Sequence, residues 1–158
     1  VSKRGEEVTS IYRHANNPIT EKIIQWLRKG ICYYAPKGPK GANILFKTLR
    51  QKKYAAILAD QKLNEGENVN FLGYPAKTAT AIAELAIRLS LPIIPVHVER
   101  IKGATFKYII EKPINPDKFK NGHEDKVLKI LYEINKTMEN WILKNPDQWL
   151  WIHNRWGK

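Results

Sequence analysis

A few places in the 158 residues combine side chains able to bind or move charge with the turns that would present them: Tyr12-Arg13, Asn17, Asp60-Gln61, Gly73 and a closing stretch rich in indoles. Arg13 offers a planar fork of donors that suits a phosphate or a carboxylate, or it pairs with Asp60 across adjacent strand ends. Asp60 follows the apolar run Tyr54-Ala55-Ala56-Ile57-Leu58-Ala59, which puts it at the carboxyl edge of a strand. Open α/β sheets place ligands at that edge, although a carboxylate there also serves simply to cap a turn. The stretch from Pro146 to Trp156 carries Trp149, Trp151 and Trp156 together with His153 and Arg155. An indole has a flat apolar body and one N–H donor, so these rings either close a core, leaving Arg155 alone to meet solvent, or lie against lipid headgroups.

Generic motifs of catalysis are missing. The histidines are His14, His97, His123 and His153, and no pair has the spacing of metal ligands. There is no Gly-x-Ser-x-Gly elbow and no Walker-type phosphate loop. Neither a metal nor a cofactor is expected. Cys32 is the only cysteine, so no intrachain disulfide can form and a reducing compartment is expected.

Lys and Arg number 27 against 15 Asp and Glu, a formal charge of +12 at pH 7, well beyond what solubility asks of a small domain. Such a surface needs an anionic partner: nucleic acid, an anionic membrane face or an acidic protein. No apolar run reaches the roughly 20 residues that a spanning helix needs, and Val1 to Glu7 lacks the apolar region of a signal peptide. Residues 1–158 read as a single α/β domain. Because Val1 stands where a start methionine would, and the opening reads like the approach to a strand, a fragment of a longer protein is expected.

The elements that must hold these residues follow from punctuation and period. Val8 to Tyr12 reads as a strand broken by Asn16-Asn17-Pro18, and a helix follows with Thr20 as its cap and Gly30 as its stop. Pro36 to Gly41 reads as a loop with two lysines, either a plain connector or a weak phosphate cradle, ahead of a helix over 43–53. Residues 54–59 read as a strand buried on both faces. Thr78 is the expected cap of a helix carrying Ala79, Ile82, Ala83, Leu85, Ala86 and Leu89 at helical spacing. Ile93 to Val98 reads as a further strand, with Lys102-Gly103 turning into Phe106–Glu111. A long helix over 124–143 places Val127, Ile130, Leu131, Ile134, Met138, Trp141 and Ile142 on one stripe, with Met138 and Trp141 as core. The class is α/β, with a mixed sheet flanked by helices.

Ile11-Tyr12-Arg13-x-x-Asn16-Asn17-Pro18, Ala59-Asp60-Gln61, Phe71-x-Gly73-x-Pro75-Ala76-x-Thr78, Pro92-Ile93-Ile94-Pro95-Val96 and Gln148-Trp149-Leu150-Trp151-x-His153-x-Arg155-Trp156 occur in this order. That succession resembles the lipid A lauroyl/myristoyl acyltransferases over nearly the whole chain. The resemblance implies a glycerolipid-acyltransferase-like fold, truncated at its amino end. It implies an enzyme of the bacterial inner membrane, at the cytoplasmic face, that moves a fatty acyl group from acyl carrier protein to a hydroxyl of a lipid A precursor. The family's general base is a His followed five positions on by an acidic residue, upstream of Tyr-Arg. Here Ile19, Lys102, Leu128 and Lys158 stand five residues after the four histidines, so the chain lacks that pair and alone should not turn over. Arg13 resembles the family's Arg near the catalytic pair, suited to a phosphate or to developing oxyanion charge, and Asp60 resembles an acidic residue that either orients the active-site loop or makes a turn contact. Asn17, Gln61, Gly73, Arg155 and Trp151 complete the candidate set as substrate contacts. His14 departs from the Pro that commonly follows Tyr-Arg, and Asn154 from a second basic residue before Arg155, which leaves substrate preference open.

The implied partners are acyl carrier protein, a lipid A precursor and the anionic surface of the inner membrane, and not nucleic acid. The contrasting readings are a nucleic-acid-binding module, whose hallmark motifs are absent, and a basic membrane-surface protein without catalysis.

Overall fold

The computed structural model describes residues 7–120, 122–150 and 154–156, and the chain forms two compact units, Val1–Leu58 and Ala59–Lys158. The first unit contains β1 (Val8–Tyr12), α1 (Pro18–Leu27), β2 (Tyr33–Pro36), α2 (Pro39–Arg50) and β3 (Tyr54–Ala56). Its three strands are parallel in the order β2-β1-β3, so β1 is central and the chain leaves it toward one edge before crossing to the other.

Both helices of this unit start earlier than expected, for the same reason. Asn17 caps α1, its Oδ1 accepting from the backbone N–H of Ile19 at 2.9 Å and of Thr20 at 3.2 Å, and Pro18 supplies a φ already suited to the first turn. Thr20 is therefore inside the helix and not its cap. Pro39 plays the same part in α2, so Pro39-Lys40-Gly41 form a first turn where a loop was expected. Gly41 is required there because a Cβ would stand 1.7 Å from the carbonyl oxygen of Pro36. The helix can start so close to the end of β2 only without a side chain at that position. Ala35, Leu45, Thr9 and Thr48 are buried around it. The run 54–59 yields only a short edge strand, with Tyr54 and Leu58 more than half exposed. The doubly buried strand expected there is corrected, because Tyr54 and Leu58 leave one side of the run open and β3 pairs only with β1 among the described residues.

In the second unit, β4 (Glu67–Phe71) and β5 (Tyr74–Thr78) form an antiparallel hairpin. Leu72 and Gly73 both have positive φ, 52° and 86°, the mirror-image turn whose twist matches the strands and which Gly at its second position relieves. Then come α3 (Ala81–Leu89), the hairpin of β6 (Val96–Lys102) and β7 (Thr105–Ile110), and α4 (His123–Lys144). Thr78 belongs to β5, its hydroxyl donating to the Ala76 carbonyl, so it does not cap α3; Thr80 precedes that helix and Ser90 ends it in the left-handed conformation. The long stripe on α4 is as the period requires. Val127, Ile130, Leu131, Ile134 and Met138 pack with Val69, Phe71, Ala76 and Ala83 in one core. The α/β class holds, with parallel and antiparallel pairing both present and carried by separate sheets.

Candidate active site

In the first unit the carboxyl end of β1 is where chemistry collects. In a parallel sheet whose order reverses at a central strand, ligands enter outside the carboxyl ends, and Arg13 follows β1 at that end as an exposed residue. Beside it, Glu21 of α1 gathers four donors. Its Oε2 accepts from the Tyr12 hydroxyl at 2.8 Å and the Ala15 backbone N–H at 2.7 Å. Its Oε1 accepts from Gln25 Nε2 at 2.7 Å and lies 2.8 Å from His14 Nδ1. Hydrogen bonds from Gln25 and the Ala15 backbone, with those from His14 and Tyr12, hold the carboxyl down to about 2 against the opposing effect of burial. A carboxylate only accepts, so His14 must carry its hydrogen on Nδ1, which leaves Nε2 of the neutral ring as an acceptor on a mostly exposed side chain. The Arg28 guanidinium lies 5.2 Å from the Tyr12 ring centroid and Tyr34 packs 5.1 Å from the same ring.

This cluster contains a His–carboxylate pair whose partners are seven residues apart and meet through the β1–α1 turn, and not at the five-residue spacing that the resemblance implies. The sequence signal for Glu21 is modest: an acidic residue in the first turn of a helix that Asn17 caps, three residues before Thr20. Asn17, a candidate substrate contact, spends its carboxamide oxygen on the α1 cap.

In the second unit the candidates separate. Arg155 was to meet solvent on the core-closing reading of the tail, and the structure corrects this: it is 1 % exposed. One terminal nitrogen donates to the Lys77 carbonyl and the other to the Thr78 hydroxyl at 3.3 Å. The guanidinium carbon lies 5.2 Å from the Phe71 ring centroid, and Nε is buried with no hydrogen-bond partner among the described residues. Burial draws its pKa below the ordinary Arg value while the Asp60 carboxylate pushes the other way. Asp60 is thus electrically coupled to Arg155, a pairing not anticipated from sequence. Gln61 is exposed, Gly73 makes the β4–β5 turn, and Trp151 lies outside the described residues.

Phe71 is the centre of this arrangement. Trp149 meets it edge-on and Trp156 stacks on it, each 5.8 Å between centroids, and Trp156 Nε1 donates to the Phe71 carbonyl at 2.9 Å. From α4, Asn135 donates to the Asn70 carbonyl at 3.0 Å and Glu139 accepts from the Leu72 N–H at 2.7 Å. The described indoles of the tail therefore serve packing, and the hairpin edge that would otherwise be bare is satisfied by side chains.

The same unit holds a groove of about 710 Å³ bordered by His97, Glu111, Lys112, Lys118, Trp141 and Lys144. His97 stacks on Trp141 at 4.2 Å with its Nε2 3.4 Å from Glu99 Oε1. Trp141 Nε1 donates to Glu111 at 3.2 Å, and His97 Nδ1 is buried with no hydrogen-bond partner among the described residues. Alternation along β6 brings His97 and Glu99 to one face, a pattern visible in the sequence.

The family description "Bacterial lipid A biosynthesis acyltransferase" matches residues 1–158. No curated protein matches the chain.

Proposed function

From the membership of this chain in the bacterial lipid A biosynthesis acyltransferase family, we propose that it serves the transfer of a fatty acyl group from acyl carrier protein to a hydroxyl of a lipid A precursor, at the cytoplasmic face of the inner membrane. The coarser part is the family's own: acyl transfer in lipopolysaccharide biosynthesis, with a lipid A precursor and an acyl donor as substrates. The donor's identity and the membrane face are what the resemblance to the family implies, and the charge of +12 suits them, since acyl carrier protein, the phosphorylated precursor and the bilayer surface all present anions.

The geometric observation that carries the reading is Arg13, exposed at the carboxyl end of the central strand of a parallel sheet. In the transfer, the acceptor hydroxyl loses its proton to a base, its oxygen attacks the thioester carbonyl, and the thiolate leaves. Charge develops on the carbonyl oxygen and stands permanently on the acceptor's phosphate, and a guanidinium at that rim suits either. No His in this chain has an acidic residue five positions on. On this reading the 158 residues bind substrate but do not turn over by themselves.

Equilibrium binding of a detergent-dispersed lipid A precursor tests this. The chain is expected to bind it, and Arg13→Ala to weaken binding about tenfold or more, as loss of a charge-assisted contact does, while melting with the wild type. Unaltered affinity in Arg13→Ala would remove that side chain from the site, and no binding by the wild type would refute the function.

A further inference from the structure

The faces of α1 are reversed. Its polar side carries Glu21 and Gln25, engaged with Tyr12, His14 and Ala15, with Arg28 just beyond over the Tyr12 ring. Its apolar residues recur at i, i+4, i+7 and i+8 on the other side and face solvent: Ile19 is 69 % exposed, Ile23 54 %, Trp26 74 % and Leu27 63 %. No residue of the helix is buried. A helix that turns its apolar stripe outward leaves uncovered the very area whose burial ordinarily stabilises a surface helix.

We propose that this face of α1 is where the protein docks on a bilayer bearing anionic headgroups, an inference that rests on the lipid-surface reading above. Charge complementarity selects this occupant. Glu21 is the only acidic residue of α1 and is turned inward under four donors, whereas Lys22 and Lys29 are exposed in and just after the helix. The outward surface is thus apolar with cationic flanks and carries no acidic side chain from α1. A single convex ridge of Ile, Ile, Trp and Leu fits a soft plane better than it fits a groove, and an exposed indole beside lysines suits the depth of headgroups.

Vesicle flotation of the 158-residue chain tests the proposal, with phosphatidylcholine alone or mixed with phosphatidylglycerol, and with no lipid A precursor present. Binding to the anionic vesicles is expected, about tenfold or more weaker for Ile23→Ser/Trp26→Ser with an unaltered thermal melt. Lys22→Gln/Lys29→Gln should weaken binding to anionic vesicles alone. Equal binding by wild type and the apolar double variant overturns the proposal. So does a wild-type dimer in solution that the double variant abolishes, which would make a second copy the occupant, or a loss of affinity for acyl carrier protein with vesicle binding intact. If the double variant fails to fold, quenching by brominated acyl chains decides: no difference between wild type and Trp26→Phe is the refuting result. Adding the lipid A precursor separates the two readings. Docking through α1 with no gain from the precursor refutes the function and leaves this surface standing; a gain from the precursor without dependence on α1 does the reverse.

Discussion

Arg155 takes its charge into the interior of the second unit and there ties Lys77 and Thr78 to the face of Phe71. Removing it takes a donor from the partly buried Lys77 carbonyl and leaves a gap beside an aromatic ring. Arg155→Ala should therefore cost about 3 kcal/mol, roughly 6–12 °C in melting temperature for a domain of this size, and any loss of precursor binding should follow the loss of fold. Weakened binding at an unchanged melt would return Arg155 to the substrate site. Glu21 yields a pH signature. Its folded pKa of about 2 lies below the ordinary 4.5, so its contribution to stability is complete above the unfolded value and is lost as pH falls through the folded one. The difference in melting temperature between wild type and Glu21→Gln should be greatest at neutral pH and shrink between about pH 4.5 and 2. A difference that stays constant across that window would mean the ionised carboxylate is not what secures the helix.

Among the elements, α2 shows most plainly how close approach dictates residue choice. Gly41→Ala would set a methyl into the Pro36 carbonyl, and since both atoms are anchored in backbone the start of the helix must move. A cost of about 2 kcal/mol or more is expected, read as a lower urea midpoint with unchanged slope; a neutral outcome would show that the first turn is not held against β2. What the sequence makes legible at this scale depends on how far a signal reaches. The stripe on α4 repeats over about four turns, and the helix's ends, His123 and Lys144, fall within a residue of expectation. The starts of α1 and α2 are missed because Asn17 and Gly38 precede a Pro whose dual use, as breaker or as first helical residue, local sequence does not decide. The burial of Arg155 is missed for a different reason: its partners are 77 and 78 residues away, and charge alone argues for solvent.

At the scale of the whole molecule the two units differ in what supports them. The continuous apolar core joins α4 to the β4–β5 hairpin and α3 in the second unit, whereas the first relies on a few buried positions around α2. Hydrogen exchange should accordingly be slowest in α4 and β4 and faster in β1 and α1; equal protection in both units would contradict this division. The class and the family were readable because ordered motifs along the chain carry them. The His14–Glu21 pair and the coupling of Asp60 to Arg155 were not, since each is made by a turn or a fold contact that leaves no periodic trace.

The stacking of Trp156 on Phe71 joins residues 85 apart in sequence, which has a bearing on biosynthesis. At ribosomal speeds Phe71 waits roughly 4–17 seconds for that indole to be made. During that interval the ring lacks the indole that stacks on it, so the packing around Phe71 is completed only once those 85 residues have been made.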